Sequence, residues 1–374
     1  MNDAIDNPAL FLTYRRFFPI PQRELVAVNH EDEILDHLKA SLQKLPSSSG
    51  ILLSGGIDST LLARFMPAGS TAYTIDYEEA GRKSELQEAA KFVGAGVRHK
   101  AVLVSREQYF QAAEELMLRK HMPLVPHEPP VAIACRQALR DGVTHLVGGW
   151  GADTRFGSYE DYYRNARWDD FQANILYKYW NPSEVLKESS DVSWVARQYL
   201  DDGAVDVQRF LLDVGTEGNA IYTTIQGLGL TPVFPFVQMR YGPGLDVERI
   251  INGEGKYLLK SIFRRIYPKH ALARKVPLHV PYNKWMMGYQ PTRKEFKDTL
   301  KLKPDQGKRN ALIFSLERYF THLENGWQST GSVSSFPIRN RVARWTRSMS
   351  RAVRRVKGKR RGATSTSTEA EAVR

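Results

Sequence analysis

The stretch Gly50-Ile51-Leu52-Leu53-Ser54-Gly55-Gly56-Ile57-Asp58-Ser59-Thr60 constrains this chain more than any other. Three apolar residues run into Ser-Gly-Gly, and Asp-Ser-Thr then opens the run Leu61-Leu62-Ala63-Arg64-Phe65-Met66. That is the pattern of a buried strand, a tight turn and a helix N-terminus. Gly55 and Gly56 reach backbone angles that other residues avoid and let a ligand approach bare amides. Ser54, Ser59 and Thr60 add hydroxyls, and a helix N-terminus adds partial positive charge, so the turn suits a polyphosphate. Asp58 would repel such a ligand unless a bridging Mg²⁺ took carboxylate and phosphate oxygens together. The bland alternative is an ordinary strand–turn–helix whose Asp or Ser only caps the helix. The turn is neither a Walker A loop, lacking Gly-Lys-Ser/Thr, nor Gly-x-Gly-x-x-Gly.

Around this turn the chain alternates. Glu31–Leu45 reads as a helix with Ile34, Leu35, Leu38, Leu42 and Leu45 on one face. Strands are expected at Ser70–Asp76, Arg98–Val104 and Thr144–Val147. Helices are expected at Glu79–Val93, Arg106–Leu118 and Val131–Asp141, the last preceded by a proline-rich loop, His121–Pro130. Alternation of this kind predicts an α/β fold, a doubly wound parallel sheet. A second glycine turn, Gly148-Gly149-Trp150-Gly151-Ala152-Asp153, follows the Thr144–Val147 strand, so both turns lie at carboxyl ends of strands, where such sheets place ligands.

Four segments follow from composition: an N-terminal arm and helix (1–45), a nucleotide-binding α/β core (46–160), a helical part (161–330) and a basic tail (331–374). Within the arm, residues 1–30 suggest a short strand or docked segment. Within the helical part, Tyr177–Trp180, Trp194–Leu200, Val205–Val214 and Gly255–Tyr267 read as helices and Gly227–Arg240 as a loop. The net charge of +12 is misleading. Residues 339–361 are a dense run of Arg and Lys with no acid, and without them the chain is close to neutral. Val342, Trp345, Met349, Val353 and Val356 fall at helical spacing within that run. It therefore suits an anionic membrane surface or an acidic partner, or is simply a solvated, disordered tail. Nucleic-acid binding lacks its aromatic–glycine signature. The single cysteine, Cys135, excludes an internal disulfide and a cysteine-cluster metal site. With no signal pattern and no long apolar run, a cytoplasmic protein is expected, peripheral to the inner membrane surface if the tail binds there.

The turn resembles the Ser-Gly-Gly-x-Asp-Ser PP-loop of the ATP pyrophosphatases. Three further segments are similar to asparagine synthetases: Gly149-Trp150-Gly151-Ala152-Asp153-Thr154-Arg155-Phe156-Gly157, then Leu228–Gln238 with Pro235-Phe236, then Gly255-Lys256-Tyr257-Leu258-Leu259-Lys260 followed by Arg274-Lys275. The resemblance covers roughly residues 50–285. It implies a synthetase domain that adenylates a carboxylate with ATP·Mg²⁺, releases pyrophosphate and passes the acyl group to ammonia or an amine. Residue by residue, Ser54, Gly55, Gly56, Asp58, Ser59 and Thr60 would bind pyrophosphate, with Gly149 and Gly151 beside them. Asp58 and Asp153 would hold Mg²⁺, and the backbone of Leu53 and of Thr74, Ile75 and Asp76 would receive adenine. Lys275, or its rivals Lys256 and Lys260, would neutralise developing charge.

Departures from the family bear on the substrate. Lys275 sits one place early, Thr154 replaces a Glu and Gln238 an Asp. The family's acid near the amine falls at about Leu118, leaving His121, His127 and Glu128 as candidate bases. These gaps argue against aspartate. Met1 is followed by Asn2 and about 50 residues precede the turn. A glutaminase domain is therefore not expected here, and nitrogen would come from free ammonia, a separate glutaminase or an amine on the substrate. The carboxylate would belong to a small molecule, a saccharide or a peptide. A peptide macrolactam cyclase of the lasso type and an idle nucleotide-binding scaffold are the alternatives.

Overall fold

The computed structural model describes residues 7–15, 25–78, 85–214, 218–272 and 280–328. Lys275 and the basic tail lie outside these residues.

In chain order the main elements are α1 (Glu31–Gln43), β1 (Ser49–Leu52), α2 (Ile57–Ala63), β2 (Thr71–Tyr77), α3 (Glu85–Ala90) and β3 (Arg98–Val104). They continue with α4 (Arg106–Lys120), α5 (Glu128–Arg140), β4 (His145–Val147), α6 (Ala152–Arg155), α7 (Val207–Val214), α8 (Gly218–Gly227), β5 (Thr231–Val233), α9 (Tyr257–Ile266) and α10 (Gly307–Glu324). The five strands form one parallel sheet in the order β3-β2-β1-β4-β5. The register pairs Gly50 with Thr71 and with Leu146, and His145 with Thr231. The order reverses between β1 and β4, and a sheet of this build binds ligands in the crevice at that reversal. Both glycine turns leave the sheet there.

Local chemistry explains the principal helices. In α1 the buried residues Ile34, Leu38 and Leu42 repeat every four positions, and Glu31, Asp32 and Glu33 oppose the helix dipole in its first turn. A capping box opens α4, where Ser105 Oγ accepts from the Gln108 amide and Gln108 Oε1 from the Ser105 amide. The first turn of α5 carries Pro129 and Pro130, which have no amide to leave unbonded there. For that reason α5 begins at Glu128, inside the stretch expected to be loop.

Successive residues of β2 face opposite sides. Tyr73, Ile75 and Tyr77 join the cluster formed by α4, α5, α8 and α10, whereas Ala72 joins the cluster formed by α1, α2 and α9. The doubly wound expectation holds, with one strand more than expected. Thr231–Val233 lies in the segment read as loop, and Pro232 is tolerated because the strand is an edge. The N-terminal region is a helix, Pro8–Tyr14, and a strand, Val26–Val28, paired in parallel with Met239–Tyr241. Tyr177–Trp180, expected to be a helix, is a turn, and the helical backbone lies just before it, as a π-helical turn at Phe171–Leu176. Among the described residues no helix is long and apolar enough to cross a membrane.

Candidate functional site: two glycine turns and a shared lysine

Beyond β1 the chain makes its tight turn with Gly55 at φ +75°. A Cβ on Gly55 would come within 2.9 Å of the backbone of Glu88 and Ala89 in α3, so the turn has room for glycine alone. The turn is tied internally. Ser59 Oγ donates to the Gly56 carbonyl (3.2 Å) and accepts from the Ser54 amide (3.2 Å), and Ser54 Oγ accepts from the Gly56 amide (3.3 Å). Ser59 and Thr60 are both buried, in the first turn of α2.

Next to it, β4 feeds the second turn. Gly151 has φ +95° and packs on Val237, where a Cβ would meet Cγ2 at 2.7 Å. This turn delivers Asp153 at the start of α6, facing Asp58 at the start of α2. Between them stands Lys256. Its Nζ lies 2.6 and 2.5 Å from the two carboxylate oxygens of Asp58 and 2.7 Å from Oδ1 of Asp153. The lysine is 4% exposed. Burial disfavours its charged form, but the two carboxylates outweigh burial and hold the amine above its ordinary range. Lys256 is itself left-handed at φ 58°, directly before α9, which is why that helix starts at Tyr257 and not at Gly255.

Two carboxylates from different turns thus converge on one positive charge, and the ammonium marks where a cation can sit. No three His, Cys, Asp or Glu residues form a metal cluster among the described residues. Asp58 and Asp153 therefore suit a hard cation that takes its remaining oxygens from ligand and water, as Mg²⁺ does.

The other expected site residues separate into two groups. Gly149 touches Asp58 and belongs to the site. Leu53 and Thr74 scaffold the turn: the Leu53 amide donates to the Tyr73 carbonyl (2.9 Å), and Thr74 Oγ1 donates to the Leu53 carbonyl (2.6 Å). Ile75 is buried and Asp76 half-buried at the end of β2, with Asp76 Oδ1 accepting from the Tyr77 amide. His121, by contrast, is exposed at the end of α4 and stacks on the Trp327 ring at 4.5 Å. Both oxygens of Glu128 are engaged. One accepts from the Val125 amide and the other from Lys120 and Thr224, so it is not an open base. His127 caps α5 and is half-buried. Thr154 Oγ1 turns back to the Gly151 carbonyl (3.0 Å), a bond within its own turn. Tyr162 and Phe171 meet edge to face, 6.1 Å apart, and Cys135 is wholly buried with its thiol pushed up to about 12.

Two buried networks carry no sequence signature. Lys120 joins Glu128 to Thr223, Thr224 and the Ala220 carbonyl at the head of α8. Glu114 accepts from Arg318 at 2.6 and 2.9 Å and pairs with His322 at 2.7 Å. Lys120 and Glu128 are eight positions apart, but the other partners are about 100 to 200 residues away, beyond the reach of any spacing rule.

A parallel sheet covered by helices on both faces is a doubly wound α/β fold, and Asp58 and Asp153 pair at its reversal point. Residues 36–212, a little under half of the chain, match the asparagine synthase family. Two curated proteins named "Putative asparagine synthetase" are similar to it. The Mycobacterium tuberculosis protein is 32% identical over 137 residues, 35% of this chain and 20% of that protein. The Methanocaldococcus jannaschii protein is 26% identical over 176 residues, 42% of this chain and 31% of that protein. The matches therefore span about a fifth to a third of the relatives' length. Among solved structures, an NH3-dependent NAD synthetase from Campylobacter jejuni aligns with a TM-score of 0.25 at 13% identity, over 53% of this chain and 94% of that one.

Proposed function

We propose that this chain is an ATP-dependent ligase that activates a carboxylate as its adenylate and then forms an amide with ammonia or an amine. The observation that supports this most is the convergence of Asp58 and Asp153, from the two glycine turns, on Lys256 at the sheet's reversal point. In this reading a carboxylate oxygen attacks the α-phosphorus of ATP and pyrophosphate leaves. The amine nitrogen then attacks the acyl carbon, loses a proton, and AMP leaves. The hydroxyls of Ser54 and Ser59 and the backbone of Gly55 and Gly56 would hold the pyrophosphate. Mg²⁺ on Asp58 and Asp153 would neutralise phosphate charge. Lys256, and Lys275 if it reaches the site, would stabilise the charge that develops in each step. The carboxylate is that of a small molecule, saccharide or peptide, and the nitrogen comes from ammonia, from a separate glutaminase or from the substrate itself.

The test is the fate of ATP. The protein is incubated with Mg²⁺, ammonium and metabolites extracted from its source, with Asp58→Ala as the blank. AMP and pyrophosphate that depend on Asp58 are expected. ADP and phosphate would sink the mechanism, and ATP binding without turnover would favour the idle scaffold.

A further inference from the structure

We infer that Lys256 is a built-in counter-ion that makes metal binding at Asp58 and Asp153 conditional on the nucleotide's phosphates. The inference rests on the ATP-site reading above and adds to it a rule for the order of binding.

The geometry leaves room for one cation. The Lys256 ammonium contacts three carboxylate oxygens at 2.5–2.7 Å. A Mg²⁺ or Mn²⁺ ion bridging the same two carboxylates would sit about 2.0–2.1 Å from its oxygens, within the volume the ammonium fills. Two positive centres that close repel strongly in a buried site. Metal and ammonium therefore compete for the same pair of acids.

The anchor of Lys256 is fixed and its stem is not. The Lys256 amide donates to the carbonyls of Phe156 (3.0 Å) and Gly157 (3.3 Å). A Cβ on Gly255 would stand 2.6 Å from Glu160 Oε1 and 2.7 Å from the Gly157 carbonyl, so the segment cannot shift sideways. Only the four-carbon stem can swing, on rotatable single bonds. A displaced ammonium buried to this degree needs another anion, because an unpaired buried charge is costly. A polyphosphate in the Ser54–Ser59 turn supplies that anion beside the same carboxylates. Metal and polyphosphate then strengthen each other's binding, and by linkage the coupling is reciprocal.

The experiment measures protein-bound Mn²⁺ by ultrafiltration on the full chain, with and without ATP. Wild type is expected to retain little Mn²⁺ alone and about one ion per chain with ATP. Lys256→Gln should bind Mn²⁺ without ATP about tenfold more tightly than wild type, and its melting temperature should rise with Mn²⁺. Lys256→Arg, which keeps the charge, should behave as wild type does. If wild type holds one Mn²⁺ per chain without ATP, or K256Q binds Mn²⁺ no better than wild type, the counter-ion role is overturned while the ligase reading stands. Should K256Q fail to fold, the two wild-type measurements and K256R decide the matter. Failure of wild type to retain Mn²⁺ even with ATP removes the metal–nucleotide reading and this inference with it.

Discussion

Gly149 lies against Asp58 so closely that a Cβ at position 149 would stand 2.9 Å from the Asp58 Cβ and 3.3 Å from the Ser59 amide nitrogen. The second glycine turn therefore sets the position of the first turn's carboxylate, and the two behave as one site.

Gly149→Ala should push Asp58 and the start of α2 aside without unfolding the protein. ATP affinity is expected to fall about tenfold to a hundredfold, that is ~1.4–2.8 kcal/mol, with the far-ultraviolet circular dichroism unchanged. Calorimetric titration with MgATP checks it, and unchanged affinity would show that Asp58 is positioned independently of the second turn.

Glu114 should govern acid stability. Burial works to raise its pKa, but bonds from His322 and Arg318 outweigh burial and hold it below its ordinary 4.5. A depressed native pKa contributes stability that is fully present above the unfolded value and is lost as pH falls through the native one. Wild type should lose stability progressively below pH 4.5. Glu114→Gln should be less stable at neutral pH by about 3–5 kcal/mol, having removed the charge that Arg318 and His322 bond to, and should show a flatter acid limb. Urea midpoints between pH 3 and pH 7 decide this.

Cys135 should be chemically silent in the native state. It is wholly buried in α5 and its thiol is pushed up to about 12, so almost no thiolate exists at neutral pH. Iodoacetamide should label it only in denaturant. Rapid native labelling would show that the thiol is reached by solvent in the folded state.

Arg155, two residues beyond Asp153, should be a cost to the fold. It is 7% exposed, its Nη1 has no hydrogen-bond partner, and burial pulls its pKa down to about 10 against a weak pull from Asp213. Arg155→Met should raise stability by about 1–2 kcal/mol, since an apolar side chain of similar length removes an uncompensated buried charge. Chemical denaturation measures the sign, and a loss of stability would mean the guanidinium has a compensating partner in solution.

Much of the frame was legible because it rests on local rules. Strand, glycine turn and helix at 50–63 follow from apolar runs and the freedom of Gly55, and α1 from its four-residue spacing. Arg98–Val104 coincides with β3. The β5 strand was hidden because three residues including a proline carry no periodicity, and only pairing with β4 makes them a strand. Within the site, Asp58 stood out because a carboxylate in a phosphate-suited turn needs a cation, and Asp153 came from the resemblance to asparagine synthetases. Lys256 was one of several candidate lysines, and its choice is tertiary, made by a left-handed residue that ends one segment and aims its stem across 198 positions at Asp58. His121 and Glu128 pointed elsewhere because a loop's place in sequence does not fix which way its side chains turn.

That separation between Asp58 and Lys256 has a consequence for synthesis. At about 5–20 residues per second, the ribosome makes Asp58 on the order of 10–40 s before Lys256. The strand that closes the sheet beside β4 is also made late, at 231–233. Once Asp153 has been made the nascent chain carries both glycine turns without Lys256, and until 231–233 follow its β4 edge is unclosed, so the site is born incomplete. Its last part arrives outside residues 36–212, the span the family match covers.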